Sequence, residues 1–264
     1  MITLDGRRLE TAWWGPGPEA APTLVLLHEG LGCVTLWRDF PERLTAATGC
    51  GVFAYSRLGY GRSDAAALPR PLSYMHDEAF FVVGRVLDAA AIRRCILLGH
   101  SDGASIAAIY AGSVQDFRVR GVVLMAPHYF VEDICIEAIA RARDAYTQGD
   151  LRARLARYHD HVDAAFLGWN GAWLDPGFRA WDITEYLAYI RVPVLQLQGT
   201  ADPYGTTAQP RAAEQIACCP VETVMVPAGH APHLEAAAQT LAAIADFTQC
   251  LFKLHEPRDA DGSH

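Results

Sequence analysis

The segment from residue 97 to residue 105 reads Leu-Leu-Gly-His-Ser-Asp-Gly-Ala-Ser, and it decides the fold. An apolar run ends here and a helix-like run begins, so Ser101 lies at a predicted turn from strand to helix. Such a turn holds its central residue in a strained conformation, and Gly99 and Gly103 lack the side chains that would collide there. The Gly-x-Ser-x-Gly spacing therefore predicts a serine presented as a nucleophile. Because this short pattern also occurs by chance, the surrounding chain must support it.

Short apolar runs rich in β-branched residues alternate with longer helical patterns. This alternation is typical of a sheet covered by helices. We therefore predict an α/β fold, with a mostly parallel central sheet flanked by helices and an antiparallel hairpin at residues 2–14. The predicted strands are Thr23–Leu27, Val52–Tyr55, Cys95–Leu98, Val119–Met125, Val192–Gln198 and Val221–Val226. The predicted helices are Phe40–Ala47, Tyr74–Ala91, Ala104–Ala111, Ala208–Ala217 and Leu234–Phe252.

One connection is much longer than a single crossover helix. Between Ala126 and Arg191 the chain has about sixty residues, where a few residues around one helix would suffice. They begin with an amphipathic stretch, Val131–Tyr158, which is followed by a segment rich in large aromatic residues. These aromatic residues are Phe166, Trp169, Trp173, Phe178 and Trp181.

The long connection divides the chain into a core and an insertion. We predict an α/β core from residues 1–127 and 182–254, and an inserted helical cap from residues 128–181. The polar tail at residues 255–264 is predicted to be disordered. No internal repeat or low-complexity linker interrupts this organisation.

Composition excludes several classes of partner. The net charge is −8, with 22 basic and 30 acidic residues, so the chain has no basic stripe for nucleic acid and no polybasic membrane patch. Lys253 is the only lysine, which argues against a catalytic lysine. With 264 residues, 51% of them hydrophobic, the chain is long enough to bury a large core.

Targeting signals and metal or disulfide patterns are missing from the sequence. The first residues show no basic segment followed by an apolar run, and no stretch approaches the ~18 apolar residues of a membrane span. We therefore expect a soluble, cytoplasmic protein with no membrane partner. The seven cysteines are scattered without Cys-x-x-Cys spacing, which predicts buried free thiols.

A nucleophilic serine needs a base, and the base needs an acid to orient it. In a parallel sheet such partners meet at the carboxyl ends of the strands, where the loops converge. Asp202 follows the predicted strand at 192–198, and His230 follows the strand at 221–226. The sequence therefore predicts a catalytic triad of Ser101, Asp202 and His230.

The order serine, acid, histidine resembles that of the α/β-hydrolase superfamily. Two further motifs carry this resemblance. Leu-Leu-His-Glu-Gly-Leu-Gly at 26–32 is similar to the family's His-Gly oxyanion loop, and Arg-Leu-Gly-Tyr-Gly-Arg-Ser at 57–63 is similar to its Arg-Gly-x-Gly-x-Ser element. The similarity runs from about Thr3 to Phe252 apart from the variable cap.

The resemblance implies acyl transfer to water without a cofactor or metal. His230 takes the proton of Ser101, whose oxygen attacks a carbonyl, and backbone N–H groups hold the oxyanion. By resemblance these N–H groups belong to Gly30 and Asp102. We expect a carboxylic-ester hydrolase that acts on a small-molecule substrate.

Two acidic residues depart from the family pattern. Glu29 stands where glycine is common, and Asp102 stands where many members are neutral. A negative charge ~4 Å from the oxyanion would cost ~4 kcal/mol at an effective dielectric of ~20. Their carboxylates must therefore point away, pair with cations such as Arg57 or Arg62, or meet a cationic substrate such as an amino-acid ester. A structural role for Asp102 at its helix N-terminus is the simpler interpretation.

The substrate pocket is predicted to be apolar because the cap is aromatic. Its candidate residues are Trp37, Tyr129 and Trp169, together with Glu29. A cap of this size favours small or medium acyl groups over long lipids.

The remaining histidines have simpler explanations. His233 and Glu235 lie close to the predicted base, but a third ligand is not apparent, so no metal site is predicted. His159 and His161 are interpreted as solvated residues of the cap.

Several functions share this machinery and stay open. Within the superfamily they are lactonase, thioesterase, carbon–carbon bond hydrolase and amino-acid ester hydrolase. A different class is a small-molecule receptor on the same fold, which reads a ligand without rapid turnover. The resemblance also leaves open a homodimer, because several members of the superfamily are dimers.

Overall fold

A parallel sheet of strands β4–β9, edged by antiparallel β3, forms the centre of the molecule. The computed structural model describes residues 1–253, so the predicted disordered tail lies outside the described residues. Strand order in the sheet is β3-β5-β4-β6-β7-β8-β9, and β1 and β2 pair separately as a hairpin. The strands are β1 Ile2–Leu4, β2 Arg7–Leu9, β3 Thr11–Trp14, β4 Thr23–Leu27, β5 Gly51–Tyr55, β6 Cys95–His100, β7 Val119–Met125, β8 Val194–Gly199 and β9 Val221–Val226.

Helices cover both faces of this sheet, which confirms the predicted fold class. A π-helical stretch, Glu78–Val83, joins α2 to α3, and 3-10 turns occupy Val34–Trp37 and Pro176–Ala180. The helices are α1 Phe40–Thr48, α2 Tyr74–Asp77, α3 Gly84–Ala89, α4 Asp102–Ser113, α5 Asp133–Gln148, α6 Leu151–Leu155, α7 Val162–Leu174, α8 Thr184–Leu187, α9 Ala208–Ile216, α10 Pro232–Glu235 and α11 Ala237–Lys253.

Strand β4 shows why the sheet is the core. All five of its residues are buried, because helices shield both faces and no polar alternation is needed. Val25 and Leu27 belong to one hydrophobic cluster, whereas Leu24 and Leu26 belong to another. Successive side chains thus enter the two cores on opposite faces of the sheet.

Some predicted boundaries shift for local reasons. The strand predicted from Val192 begins at Val194, directly after Pro193, which has no N–H to donate to a strand neighbour. The helix predicted over 234–252 forms as α10 and α11, because Ala236 between them has a φ of −128°.

Helices α5 to α8 all lie in the long connection between β7 and β8. An isolated antiparallel bridge joins Phe130 to Asp182, near the two ends of this connection. The prediction that His159 is solvated is wrong: the ring is buried and its Nδ1 accepts the N–H of Gly61. Its Nε2 lies 2.9 Å from the carbonyl oxygen of Leu31. His159 therefore fastens the connection to two loops of the sheet.

The cysteines are free, as expected, but they are not all buried. Cys218 and Cys250 are exposed, whereas Cys33, Cys50 and Cys95 are buried. None of the helices within residues 1–253 is both long and apolar enough to span a bilayer.

Candidate active site

Ser101 lies at a sharp turn between β6 and α4. Its φ of 53° and ψ of −119° are rare for a residue with a side chain. A Cβ added at Gly103 would stand 2.0 Å from the carbonyl oxygen of Leu27, and one at Gly99 would stand 2.2 Å from that of Gly103. Both glycines are therefore required for the turn, as the spacing indicated.

Ser101, His230 and Asp202 form a hydrogen-bonded chain. The Ser101 hydroxyl lies 2.9 Å from Nε2 of His230. On the other side of the ring, Nδ1 lies 2.9 Å from both carboxylate oxygens of Asp202. A ring protonated at Nδ1 donates to the acid and accepts the serine proton at Nε2, which is the tautomer a general base requires.

The loops hold the acid and the base in place. Asp202 accepts hydrogen bonds from the Gln198 amide and from the main-chain N–H of Tyr204, both at 2.8 Å. The Glu235 carboxylate accepts the N–H groups of the two residues that flank His230. Burial raises the pKa of Asp202, but the hydrogen bond and charge of His230, together with the N–H of Tyr204, outweigh burial and leave that pKa below its ordinary value. The Asp202 carboxylate is thus ionised at neutral pH.

Ser101 and His230 line a cavity of about 210 Å³ that α5 and α7 also border. Two larger grooves, of about 420 and 480 Å³, border Phe117, but their lining residues include no serine, cysteine or histidine. The reactive cavity is lined by Glu29, Gly30, Leu31, His100, Ser101, Asp102, His128, Cys135, Ile139, Trp169, Trp173, Tyr204, His230 and Ala231.

The loop after β4 brings Gly30 to this cavity. Arg57 holds the loop: its guanidinium donates to the carbonyl oxygens of His28 and Glu29, the latter at 2.9 Å. A Cβ at Gly30 would stand 2.1 Å from the indole nitrogen of Trp169, so only glycine fits under that ring. The N–H of Asp102 belongs to the first turn of α4, where N–H groups have no partner within the helix.

The Asp102 carboxylate is buried and hydrogen-bonded within the protein. It accepts from the Tyr74 hydroxyl at 2.5 Å and from the Trp173 indole at 3.3 Å. Burial raises its pKa, and the Arg57 guanidinium opposes that rise. This arrangement supports the structural interpretation of Asp102.

Glu29 lies between the cavity and a small adjoining pocket that contains Arg38. A Cβ at Gly32 would stand 1.8 Å from its carboxylate, so that glycine makes room for the acid. Burial raises the pKa of Glu29 to about 7, although the Arg57 and His230 charges act in the opposite direction.

Three more histidines surround His230, and burial keeps all three neutral. Nε2 of His100 lies 2.6 Å from the carbonyl oxygen of His230, which helps to fix that loop. Burial lowers the pKa of His128 and of His233 to about 3, and that of His100 well below its ordinary value. The buried Nδ1 atoms of His128 and His233 have no hydrogen-bond partner within residues 1–253.

Two predicted pocket residues lie away from the cavity. Trp37 ends a 3-10 turn and packs in the second core, stacked on Phe40 and against His233. Tyr129 is fully buried, and its hydroxyl donates to Gln196 of β8 at 3.2 Å. Trp37 lines the small pocket beside Glu29 rather than the reactive cavity, and Tyr129 packs in the interior.

The structure brings other residues to the wall that sequence reasoning did not assign to it. Tyr204 stacks near His230, with ring centroids 4.6 Å apart, and Trp173 packs against His128. The position of Tyr204 at the cavity could have been predicted from the sequence, since this residue follows Asp202 in the same loop. Trp173 belongs to the aromatic segment, but membership of that segment does not predict in which direction its side chain points.

Comparison with known proteins supports this fold. The chain is 27% identical to a non-heme chloroperoxidase of Streptomyces lividans over 255 residues, covering 82% of this chain and 87% of that protein. Its fold is similar to the enol-lactonase of Burkholderia xenovorans LB400, with a TM-score of 0.72, 23% identity, and coverage of 92% of this chain and 97% of that one. It is also similar to the esterase RhEst1 of Rhodococcus sp. ECU1013, with a TM-score of 0.72, 22% identity, and coverage of 95% and 98%. Residues 24–244 match the alpha/beta hydrolase family, and the chain belongs to that family.

Proposed function

We propose that this protein is a serine hydrolase that cleaves carboxylic esters of small or medium apolar acyl groups. The observation that carries the proposal is the hydrogen-bonded chain from Ser101 through His230 to Asp202, which opens into a cavity of about 210 Å³. The esterase and the lactonase named above support the fold alone at their identities, so the ester class depends on this site.

The proposed reaction has two halves. His230 takes the Ser101 proton as the serine oxygen attacks the ester carbonyl, and the N–H groups of Gly30 and Asp102 receive the oxyanion. The imidazolium then protonates the departing alcohol and leaves an acyl-enzyme. In the second half, His230 activates water, which releases the acid and restores the serine.

Cavity size supports small acyl groups. A volume of about 210 Å³ is below the range of about 300–1,000 Å³ that is usual for drug-sized ligands. Its walls are mostly apolar, and Ile139 and Trp169 line it together with Ser101. We therefore propose that short acyl chains are preferred over long ones.

The test is turnover of p-nitrophenyl esters of increasing acyl length by wild type and by Ser101→Ala. We expect sustained turnover of short esters and a loss of about 10⁴- to 10⁶-fold in the variant. Ser113→Ala, at the far end of α4, is the matched control and should retain turnover within about threefold, since surface changes have small effects.

Absence of turnover with every p-nitrophenyl ester would change the proposed function. If wild type and Ser101→Ala were equally inactive on every ester, the ester assignment would be wrong. Lactones, thioesters and carbon–carbon substrates, and then a receptor function, would be tested next with the same pair of proteins.

A further inference from the structure

The charged side chains in the wall of the reactive cavity are negative rather than positive. Its lining includes two carboxylic acids, Glu29 and Asp102, and no arginine or lysine. The non-catalytic histidines of the wall, His100 and His128, are neutral because burial lowers the pKa of each. A ligand that enters this cavity therefore meets negative charge without a compensating side-chain cation in the wall.

Within residues 1–253, Glu29 has a hydrogen bond only with its own main chain, whereas Asp102 has side-chain partners. Asp102 has its hydrogen bonds from Tyr74 and Trp173 and is 1% exposed. Glu29 is half-buried, and within residues 1–253 no side-chain cation lies within the 4.0 Å of an ion pair with its carboxylate. The nearby Arg57 guanidinium donates to the main-chain oxygen of Glu29 instead.

The loop is shaped to keep this acid at the cavity. Gly32 leaves the space that the carboxylate occupies, because a Cβ there would stand 1.8 Å from it. The aromatic residues Trp169, Trp173 and Tyr204 line the same cavity as Glu29. A carboxylate in a cavity lined by aromatic rings suits an organic cation, which gains both an ion pair and cation–π contacts.

We propose that Glu29 binds an ammonium group of the substrate, so that the enzyme prefers esters bearing a cationic amine over their uncharged isosteres. This inference rests on the proposed ester hydrolysis and narrows its substrates from apolar esters in general to esters that also bear an ammonium group. A bound cation also neutralises a charge that would otherwise oppose the oxyanion at Gly30, since like charges raise the energy of the transition state. The amine thus contributes to turnover as well as to binding.

The preference should depend on pH. Burial raises the pKa of Glu29 to about 7, so the fraction present as carboxylate increases through neutral pH. A substrate amine that stays protonated over this pH range therefore gains an ionised Glu29 carboxylate to pair with as the pH rises. Titration of the groups that take part in the reaction changes the hydrolysis of the charged and the uncharged ester alike. The ratio of the two kcat/KM values therefore follows the ionisation of Glu29. The titratable and charged groups around Glu29 are Arg57, His230, Asp102, Tyr204 and Cys33, together with Arg38, His28, His100 and His233 of the adjoining pocket.

The experiment compares two isosteric pairs of esters. With the cation on the acyl side, the pair is p-nitrophenyl 3-aminopropanoate and p-nitrophenyl butanoate. With the cation on the alcohol side, it is acetylcholine and 3,3-dimethylbutyl acetate. For wild type we expect kcat/KM to favour the cation by about 10- to 100-fold in at least one pair, as for a charge-assisted hydrogen bond or ion pair. We also expect that ratio to increase from about pH 6 to about pH 8.

Variants assign the effect to its residue. Glu29→Gln should reduce the ratio to near one while the uncharged ester is still hydrolysed. Glu137→Gln, the same substitution on the exposed face of α5, should leave the ratio unchanged. If Glu29→Gln does not fold, the wild-type ratio and its increase with pH decide the matter.

Failure of the inference differs from failure of the proposed function. Uncharged esters hydrolysed with a wild-type ratio near one in both pairs would overturn the ammonium site alone. A ratio that survives in folded Glu29→Gln would also overturn it. Absence of Ser101-dependent turnover of all four esters would overturn the proposed function, and the inference with it.

Discussion

At the residue scale, the site depends on strain and on one hydrogen-bonded chain. Ser101 is held at a φ of 53°, a conformation that costs about 1–3 kcal/mol and persists only where the surroundings enforce it. What the strain provides is position: the hydroxyl points to His230 rather than into the helix. Asp202 then fixes the ring so that Nε2 faces the serine.

Replacing Asp202 by asparagine should reduce kcat/KM by about 10⁴-fold, because the amide no longer stabilises the required tautomer or the imidazolium. Gln198→Leu is the graded control, since it removes only one neutral donor to Asp202. Its expected cost is about tenfold or less. Steady-state kinetics on p-nitrophenyl butanoate measure both, and equal losses would contradict the distinct role assigned to the acid.

The triad residues could be predicted, whereas much of the pocket wall could not. Ser101, Asp202 and His230 each follow a strand that its composition reveals, and parallel strands bring such loops together. Trp37 and Tyr129 were assigned to the pocket on residue type alone. Their directions depend on which core their side chains fill, and that is decided by tertiary packing.

At the element scale, glycines set how closely the loops approach the sheet. Gly103 lets α4 begin against the end of β4, where a Cβ would meet the carbonyl oxygen of Leu27 at 2.0 Å. Gly171, on the exposed face of α7, has nothing within 4 Å of the same position. The same substitution therefore has opposite consequences in the two helices.

Gly103→Ala should lower the free energy of unfolding by about 3 kcal/mol or more, because main-chain atoms cannot yield as flexible side chains do. Gly171→Ala should raise it by about 0.5–1 kcal/mol, since alanine loses less backbone entropy in a helix. Urea unfolding followed by circular dichroism measures both. Equal effects of the two substitutions would argue against the described turn.

Alternation of strands and helices predicted most elements, but two local breaks lay beyond it. The π-helical stretch Glu78–Val83 lies inside the predicted helix Tyr74–Ala91, and its residue types do not distinguish it from the helices around it. The break at Ala236 lies between α10 and α11 without a proline or glycine to mark it. Both depend on packing that a local pattern does not encode.

At the scale of the whole molecule, buried neutral histidines link stability to pH. Burial lowers the pKa of His233 to about 3, from the ordinary value of 6.5. Between these values the unfolded chain binds a proton that the folded chain does not. This residue therefore lowers the free energy of unfolding as the pH falls below the unfolded value.

His233→Leu should weaken this dependence. For a pKa moved from 6.5 to about 3, the wild type loses about 1.4 kcal/mol between about pH 7.5 and about pH 5.5 that the variant retains. Unfolding in urea at both pH values gives the difference directly. The buried carboxyls Glu29 and Asp102 have raised pKa values and act in the opposite sense in both proteins, so their effect cancels. An identical pH dependence would contradict a neutral buried His233.

The central claim is that Ser101 is a nucleophile activated by His230. Its most direct test is intact mass spectrometry after reaction with a fluorophosphonate ester, followed by peptide mapping. We predict one adduct per chain, on Ser101, and none in Ser101→Ala. An unmodified wild type, or an adduct on another residue that persists in Ser101→Ala, would contradict it.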